Sequence, residues 1–408
     1  MGDYLDLLAR PSEEWVMTEP ARAERDPAVW PAEALAQFRK GIRRAVETRI
    51  RPAFERYRAV IRDEILARAR DDQHVGIMNI PGGAACYERM IRVHTSLGLS
   101  AEEIHRIGLE ENARIRAEMT ALGKKLFGLD DLAAVQQRLR TDKRLFFGTR
   151  DEVEAKAREA LARADAAMPR WFGQLPRTRC LVKRVEPYEE KDTTIAFYRR
   201  PTIDGSRPGT YYVNTYAPES RPRYEAEVLA FHESIPGHHT QIALAQEATG
   251  IPEFRKHARV TAFVEGWALY TERLSEEMGL YSGDLDRMGM LSFDAWRASR
   301  LVVDTGVHVK GWSLEQAIRY MLENTVLAEN NIENEVDRYI GWPGQALAYK
   351  LGQREIFALR REAERRLGAS FDIRAFHDVV LGNGAVSLSV LRGEVERWIT
   401  ARAASASR

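Results

Sequence analysis

Cysteine is almost missing from this chain: Cys86 and Cys180 are the only two in 408 residues. Two cysteines so far apart build no disulfide framework, and no Cys-x-x-Cys pair exists to hold a metal or exchange thiols. Long apolar runs are missing too. No stretch approaches the roughly eighteen apolar residues of a membrane-spanning helix. The N-terminus, Met1-Gly2-Asp3-Tyr4-Leu5-Asp6-Leu7-Leu8, is acidic and lacks the apolar core of a secretion signal. A reduced, cytoplasmic setting is the expectation on these counts. Nor is there an excess of one charge, with 61 Lys plus Arg against 60 Asp plus Glu. That balance excludes the basic footprint of a general nucleic-acid or anionic-membrane binder, so neither is expected as a partner. Repeats and low-complexity runs are absent. The Gly-rich piece Asn79-Ile80-Pro81-Gly82-Gly83-Ala84-Ala85 reads as a turn or loop. It is not a phosphate loop, because no Gly-Lys-Ser/Thr follows.

What is present is helical patterning. Apolar residues make up 44% and charged residues 30%, enough for a large core under a polar helical surface. Pro11, Pro20, Pro27 and Pro31 interrupt any helix over 1–32, which reads as an N-terminal extension. Residues 33–402 read as one mainly α domain. Its parts are a helical stretch 33–178, a small sheet 180–216, helices at 224–280 and a C-terminal helical half 284–402. Ile50, Phe54, Tyr57, Ile61 and Ile65 recur at threes and fours, an amphipathic spacing. Ser100 and Glu103 form a capping box that opens a helix to about Leu122. Asp151 to Met168 is a further helix. Three short β-branched and aromatic pieces, 181–185, 194–198 and 210–214, read as two or three strands. Pro343-Gly344 breaks the C-terminal half and opens a helix, and Ala401 to Arg408 reads as a frayed tail.

The most informative stretch is Phe231-His232-Glu233-Ser234-Ile235-Pro236-Gly237-His238-His239. It gathers three of the nine histidines of the chain beside a carboxylate. Neutral imidazole is the commonest protein ligand for zinc, and a neighbouring carboxylate is the usual base for zinc-bound water. The run departs from a helical His-Glu-x-x-His motif by the insertion of Pro236-Gly237. Proline breaks a regular helix and glycine tolerates unusual backbone angles, so the pair can change the helical phase by about two residues. On that reading His238 is the second ligand. The rival is an unbroken helix, in which His239 at i+7 shares a face with His232. In that rival His239 is the second ligand; with His238 as the ligand, His239 is expected beside the substrate. A catalytic zinc site takes three protein ligands and keeps one position open. Glu265, an acid within the apolar run Ala262-Phe263-Val264-Glu265-Gly266-Trp267-Ala268-Leu269-Tyr270-Thr271-Glu272, is the third candidate. Its gap of 27 residues from His238 fits a helix, a turn and a second helix. Glu272 falls roughly on the same face, either supporting the site or facing solvent.

These blocks resemble the domain of unknown function 885 family, which is assigned to the gluzincin class of zinc metallopeptidases. The resemblance rests on the His232–Gln241 and Val264–Glu272 runs. It also rests on Arg207 to Thr215, Asp304-Thr305-Gly306-Val307-His308, Glu335 to Tyr339, Pro343 to Gly352 and Phe376 to Gly384, and it spans roughly residues 45–400. It implies a helical gluzincin-like catalytic domain, a small sheet beside the active-site helix and a deep cleft. It implies one zinc ion per chain on His232, His238 and Glu265, with Glu233 as base. Members of the family often carry a longer N-terminal half and a secretion signal; against that pattern this chain reads as a short cytoplasmic form.

A zinc hydrolase also needs a donor for the developing oxyanion. His308, with Asp304 one turn back to orient it, Tyr339 and Tyr349 are the candidates. Arg297 and Arg300 share one helix, and Arg338, Gln345 and Lys350 flank the two tyrosines. Together they suit a carboxylate-bearing substrate. An edge strand beside the metal could take an extended peptide, with Asn214 and Tyr211 on that edge. The expected function is a zinc-dependent hydrolase that cleaves an amide bond in a small peptide or aminoacyl compound. Alternatives are a metalloenzyme acting on a non-peptide C–N bond or a rearrangement, and a non-catalytic binding protein on a zinc fold. An oligomer is left open.

Overall fold

The computed structural model describes residues 7–11, 14–18, 28–191 and 193–406. The chain divides into two compact units, Met1–Asp71 with Glu186–Lys191, and Asp72–Val185 with Asp192–Arg408. The helical segment 33–71, grouped above with the single domain, thus clusters with the N-terminal residues. In the smaller unit α1 (Ala32–Ala45) and α2 (Arg51–Val60) flank a wide turn at Val46–Ile50. Leu8, Trp15 and Val46 form its core, with the Arg51 guanidinium 4.9 Å over the Trp15 ring.

The larger unit is mainly helical. Its first half holds α3 (Gly83–Thr95), α4 (Ala101–Phe127), α5 (Leu132–Thr141) and α6 (Arg150–Trp171). The predicted capping box is present: the Ser100 hydroxyl accepts from Glu103 N–H and the Glu103 carboxylate accepts from Ser100 N–H. The predicted loop over 79–85 is shorter than expected, because α3 already begins at Gly83. Strands β1 (Cys180–Arg184), β2 (Ala196–Arg199) and β3 (Gly209–Val213) form one sheet in the order β1-β3-β2. β1 runs parallel to β3 and β2 antiparallel to it, with Tyr198 opposite Tyr211. β2 is therefore an edge strand.

The helices that follow are α7 (Ala226–Glu233), α8 (His238–Glu247), α9 (Glu253–His257), α10 (Thr261–Glu277), α11 (Asp284–His308), α12 (Leu314–Asn324), α13 (Glu329–Gly341), α14 (Leu347–Leu367) and α15 (Ile373–Leu381). Helix α16 (Leu388–Ala406) closes the chain. The expected frayed tail is helical to Ala406, held where Leu388, Leu391, Val395 and Ile399 enter the core. Pro343-Gly344 separates α13 from α14, as the loss of a backbone donor at proline requires.

Helix α11 is the spine. Almost every residue from Met288 to His308 is buried, the pattern of a helix enclosed on all sides. It packs along α4, while α10 packs along α14. The second pair meets glycine on glycine: a Cβ added to Gly266 would lie 2.5 Å from the Gly352 Cα. From Met288 onward the spine also carries the buried acidic and basic side chains Asp294, Arg297, Arg300 and Asp304, a cost that only pairing offsets. Asp294 accepts from Lys350 at 2.5 Å and Arg273 at 2.7 Å, and Arg300 donates to Glu335 at 2.8 Å. Arg297 faces Glu272 at 3.6 Å, and Asp304 accepts from the Tyr87 hydroxyl at 2.6 Å.

Candidate metal centre

Helix α7 ends at Glu233 and α8 begins at His238, so the Pro-Gly insertion divides two helices. Position 237 admits only glycine. A Cβ there would lie 2.0 Å from the His232 carbonyl oxygen and 2.4 Å from that of Phe231. The break is held by hydrogen bonds. Trp267 Nε1 donates to Pro236 O at 3.1 Å, and His239 N–H donates to Ser234 O at 3.0 Å. The chain doubles back tightly enough to set the rings of His232 and His238 4.8 Å apart at 85°.

Glu265 on α10 completes a cluster. Its Oε2 lies 3.8 Å from His232 Nε2 and 3.6 Å from His238 Nε2, and the three donor atoms lie within 4.8 Å of one another. Three donors about 2.1 Å from one tetrahedral centre lie about 3.4 Å apart, so the cluster fits a divalent ion after small adjustments. His238 Nδ1 is buried without a hydrogen-bond partner, which leaves that ring free of a competing anchor. Burial and the neighbouring His238 hold His232 far below the usual imidazole range, in the neutral form that ligates metal. Glu265 is held below its usual range: burial opposes this, but the hydrogen bond from His238 outweighs it. Glu272, one of the two readings left open above, supports the site. It is buried, and its Oε1 lies 2.8 Å from His232 Nδ1, the outer contact that fixes a ligand's tautomer.

The cluster lines a cavity of about 590 Å³. Glu233 lies on the same wall, half-buried, and burial pushes its carboxyl up to about 7. β2 forms another side. Asn214 N–H donates to Ile195 O, so in the alternating antiparallel ladder Ala196 and Tyr198 turn their backbone groups away from β3, toward the open edge. A third side is cationic and aromatic. Arg297 and Arg300 stack on Trp296 at 4.2 and 4.6 Å, Arg300 also on Tyr349 at 4.4 Å. Arg338 donates to Gln345 at 2.7 Å and to the Tyr349 hydroxyl at 3.2 Å.

Of the residues named from sequence, His232, Glu233, His238, Glu265, Arg297, Arg300, Arg338, Gln345 and Tyr349 line this one cavity. Five others do not. His239 turns to the opposite side of α8: its Nε2 donates to Thr178 O at 2.9 Å and its Nδ1 accepts from the Tyr198 hydroxyl at 2.9 Å. His308 is a core histidine that accepts from Ile77 N–H and donates to Tyr339 O, and Asp304 holds Tyr87 and Gly344 instead of orienting it. Tyr339 is fully buried, its hydroxyl donating to Glu335 at 2.5 Å. Lys350 is spent on Asp294 and Glu111. Asn214 ends the central strand, not an edge, and its amide bonds Thr194 O and Tyr216 N–H; Tyr211 is likewise on the central strand. Sequence reasoning missed Arg200, Arg255, Lys256 and Arg259, which also line the cavity. The basic run 255–259 between two ligand-bearing helices was the available signal.

Comparison with known proteins places these features in a family. The family model described as "Bacterial protein of unknown function (DUF885)" matches residues 4–395. A solved protein of Colwellia psychrerythraea superposes with a TM-score of 0.90 at 33% identity, over 98% of this chain and 69% of that one. A Shewanella oneidensis protein superposes with a TM-score of 0.67 at 21% identity, over 95% of this chain and 69% of that one, a likeness of fold alone. No curated protein matches. Both solved proteins are provisionally described as lipoproteins; the description of the Colwellia protein, the relative at 33% identity, overturns the cytoplasmic expectation. No helix among the described residues is long and apolar enough to cross a membrane.

Proposed function

The chain belongs to the bacterial family of unknown function DUF885, and within it we propose a gluzincin-type metallohydrolase that cleaves an amide bond in a short peptide. The single observation that carries this reading is the two-histidine, one-glutamate donor set beside Glu233 in one cavity. Among the described residues no fourth His, Cys, Asp or Glu joins the set, which favours an open catalytic site over a closed structural one. The residues His232, His238 and Glu265 would hold one zinc ion. When bound, such an ion lowers the pKa of a water towards roughly 7 and polarises a carbonyl.

The remaining work falls to the chain itself. Glu233 accepts the proton of the attacking water and returns it to the leaving amine. The edge of β2 aligns an extended backbone by main-chain hydrogen bonds. Tyr349 and the arginines beside it offer donors to the developing oxyanion and to a terminal carboxylate. Trp296 and Trp342 give the cleft apolar walls that limit water. An anchored or exported setting is the one favoured by the lipoprotein descriptions of its structural relatives.

The test is Glu233→Gln. The variant should keep about one zinc per chain by elemental analysis and lose at least about a hundredfold in peptide turnover. Turnover near the parent level would remove Glu233 as the base.

A further inference from the structure

The charge of the cavity wall is not balanced. Arg297, Arg300 and Arg338 share the acids Glu272 and Glu335. A second group of cations, from other elements, has less. Arg200 follows the end of β2, and Arg255, Lys256 and Arg259 lie between α8 and α10. Lys256 pairs with Glu253 at 3.0 Å, and Arg255 donates to the neutral Asn383 at 3.5 Å. No carboxylate among the described residues pairs with Arg200, Arg255 or Arg259. On the better-paired side, Arg300 Nη1 and Arg297 Nε are buried yet have no hydrogen-bond acceptor. Buried donors of this kind are costly unless a ligand or solvent satisfies them.

We propose that the substrate is an acidic peptide, whose side-chain carboxylates are taken by Arg200 and the Arg255–Arg259 segment while its terminal carboxylate meets Arg297, Arg300 and Arg338. The inference rests on the proposed hydrolase for the peptide nature of the ligand. The position of one acidic side chain follows from the strand. Arg200 lies two residues beyond Tyr198, about 7 Å along the edge. It therefore faces the substrate residue two places from the one paired with Tyr198. Guanidinium suits this task because it binds carboxylate in a bidentate fork and stays charged.

A non-hydrolysable probe separates recognition from turnover. Calorimetric titration of the zinc-loaded chain with tri-D-glutamate and tri-D-glutamine should show roughly tenfold tighter binding of the acidic peptide, weakening with salt. In the Arg200→Ser/Arg259→Ser variant the preference should fall below about threefold, while Arg200→Lys/Arg259→Lys, which keeps the charge but not the fork, should fall between that variant and the parent. An unchanged melting temperature identifies a folded variant. Equal binding of the two peptides, or a preference that survives the double serine variant, overturns the inference. So does equal competition by inorganic phosphate, which would make the cluster a general anion trap. A chain that prefers tri-D-glutamate yet cleaves no L-peptide sustains the acidic recognition and sinks only the hydrolase. A chain that cleaves neutral and acidic peptides alike does the reverse.

Discussion

Glu272 does not line the cavity of the donor cluster, yet its removal should weaken metal binding. Its Oε1 lies 2.8 Å from His232 Nδ1 and 3.6 Å from Arg297 Nη2, and the residue is 1% exposed. Glu272→Ala deletes the acceptor that holds His232 with Nε2 toward the other two donors. Outer contacts of this kind are worth about 10- to 100-fold in metal affinity, or about 1.4–2.7 kcal/mol. The effect can be read as a melt. With metal at a hundred times the parent dissociation constant, binding stabilises the fold by about 2.7 kcal/mol. A hundredfold weaker variant under the same conditions gains only about 0.4 kcal/mol. Glu272→Gln keeps an oxygen for the Nδ1 proton and should lose less than about tenfold. The metal-free Glu272→Ala chain should also melt lower, since the buried His232 Nδ1–H loses its acceptor. The assay is competition with a fluorescent zinc chelator, with melting curves at matched free metal. A Glu272→Ala chain that binds zinc within about threefold of the parent would refute the orienting role.

Two further outcomes follow from the same geometry. Gly237→Ala must move backbone by about 1 Å, since a Cβ 2.0 Å from the His232 carbonyl is below the 3.0 Å that real contacts reach; zinc content after gel filtration should fall well below one per chain, and full loading would contradict the tight reversal. Glu335 is held down to about 2 from 4.5: burial opposes this, but Arg300 and Arg338 outweigh it. A depressed carboxylate contributes stability above its unfolded value near 4.5 and loses it as pH falls through about 2. That is about 3 kcal/mol for this group. Between pH 5 and 2 the metal-free parent should therefore lose about 3 kcal/mol more unfolding free energy than Glu335→Gln; parallel pH profiles would exclude the pairing.

Local features were legible in sequence because the chain within a few residues decides them. The Ser100 capping box, the three strands to within two residues and the Pro-Gly phase change all depend on neighbours. Spacing brought out His232 and Glu265 as candidate metal donors and left His238 and His239 as rivals for the second histidine. It also located Arg297, Arg300 and Arg338. It failed where the same residue type can serve a core or a cavity equally well. His308 and Lys350 are polar groups among apolar neighbours and Tyr339 follows the cavity-lining Arg338, so local sequence does not separate them from residues that line the cavity. Only the contacts of α11 with α13 and α14 turn them inward, where Ile77, Glu335 and Asp294 satisfy them.

By itself, then, the order of residues determined the helix breaks, the helical or strand period of each segment and the few side chains that are candidates to converge on a cation. Tertiary structure alone decided which edge of the sheet is open, which of the two adjacent histidines faces the cavity, and that Glu272 stands behind His232. It also gathered Arg200 and Arg259, 59 positions apart, onto one wall. The physical reason is range: backbone sterics and capping act over one turn, whereas burial and charge pairing depend on neighbours that only packing brings near.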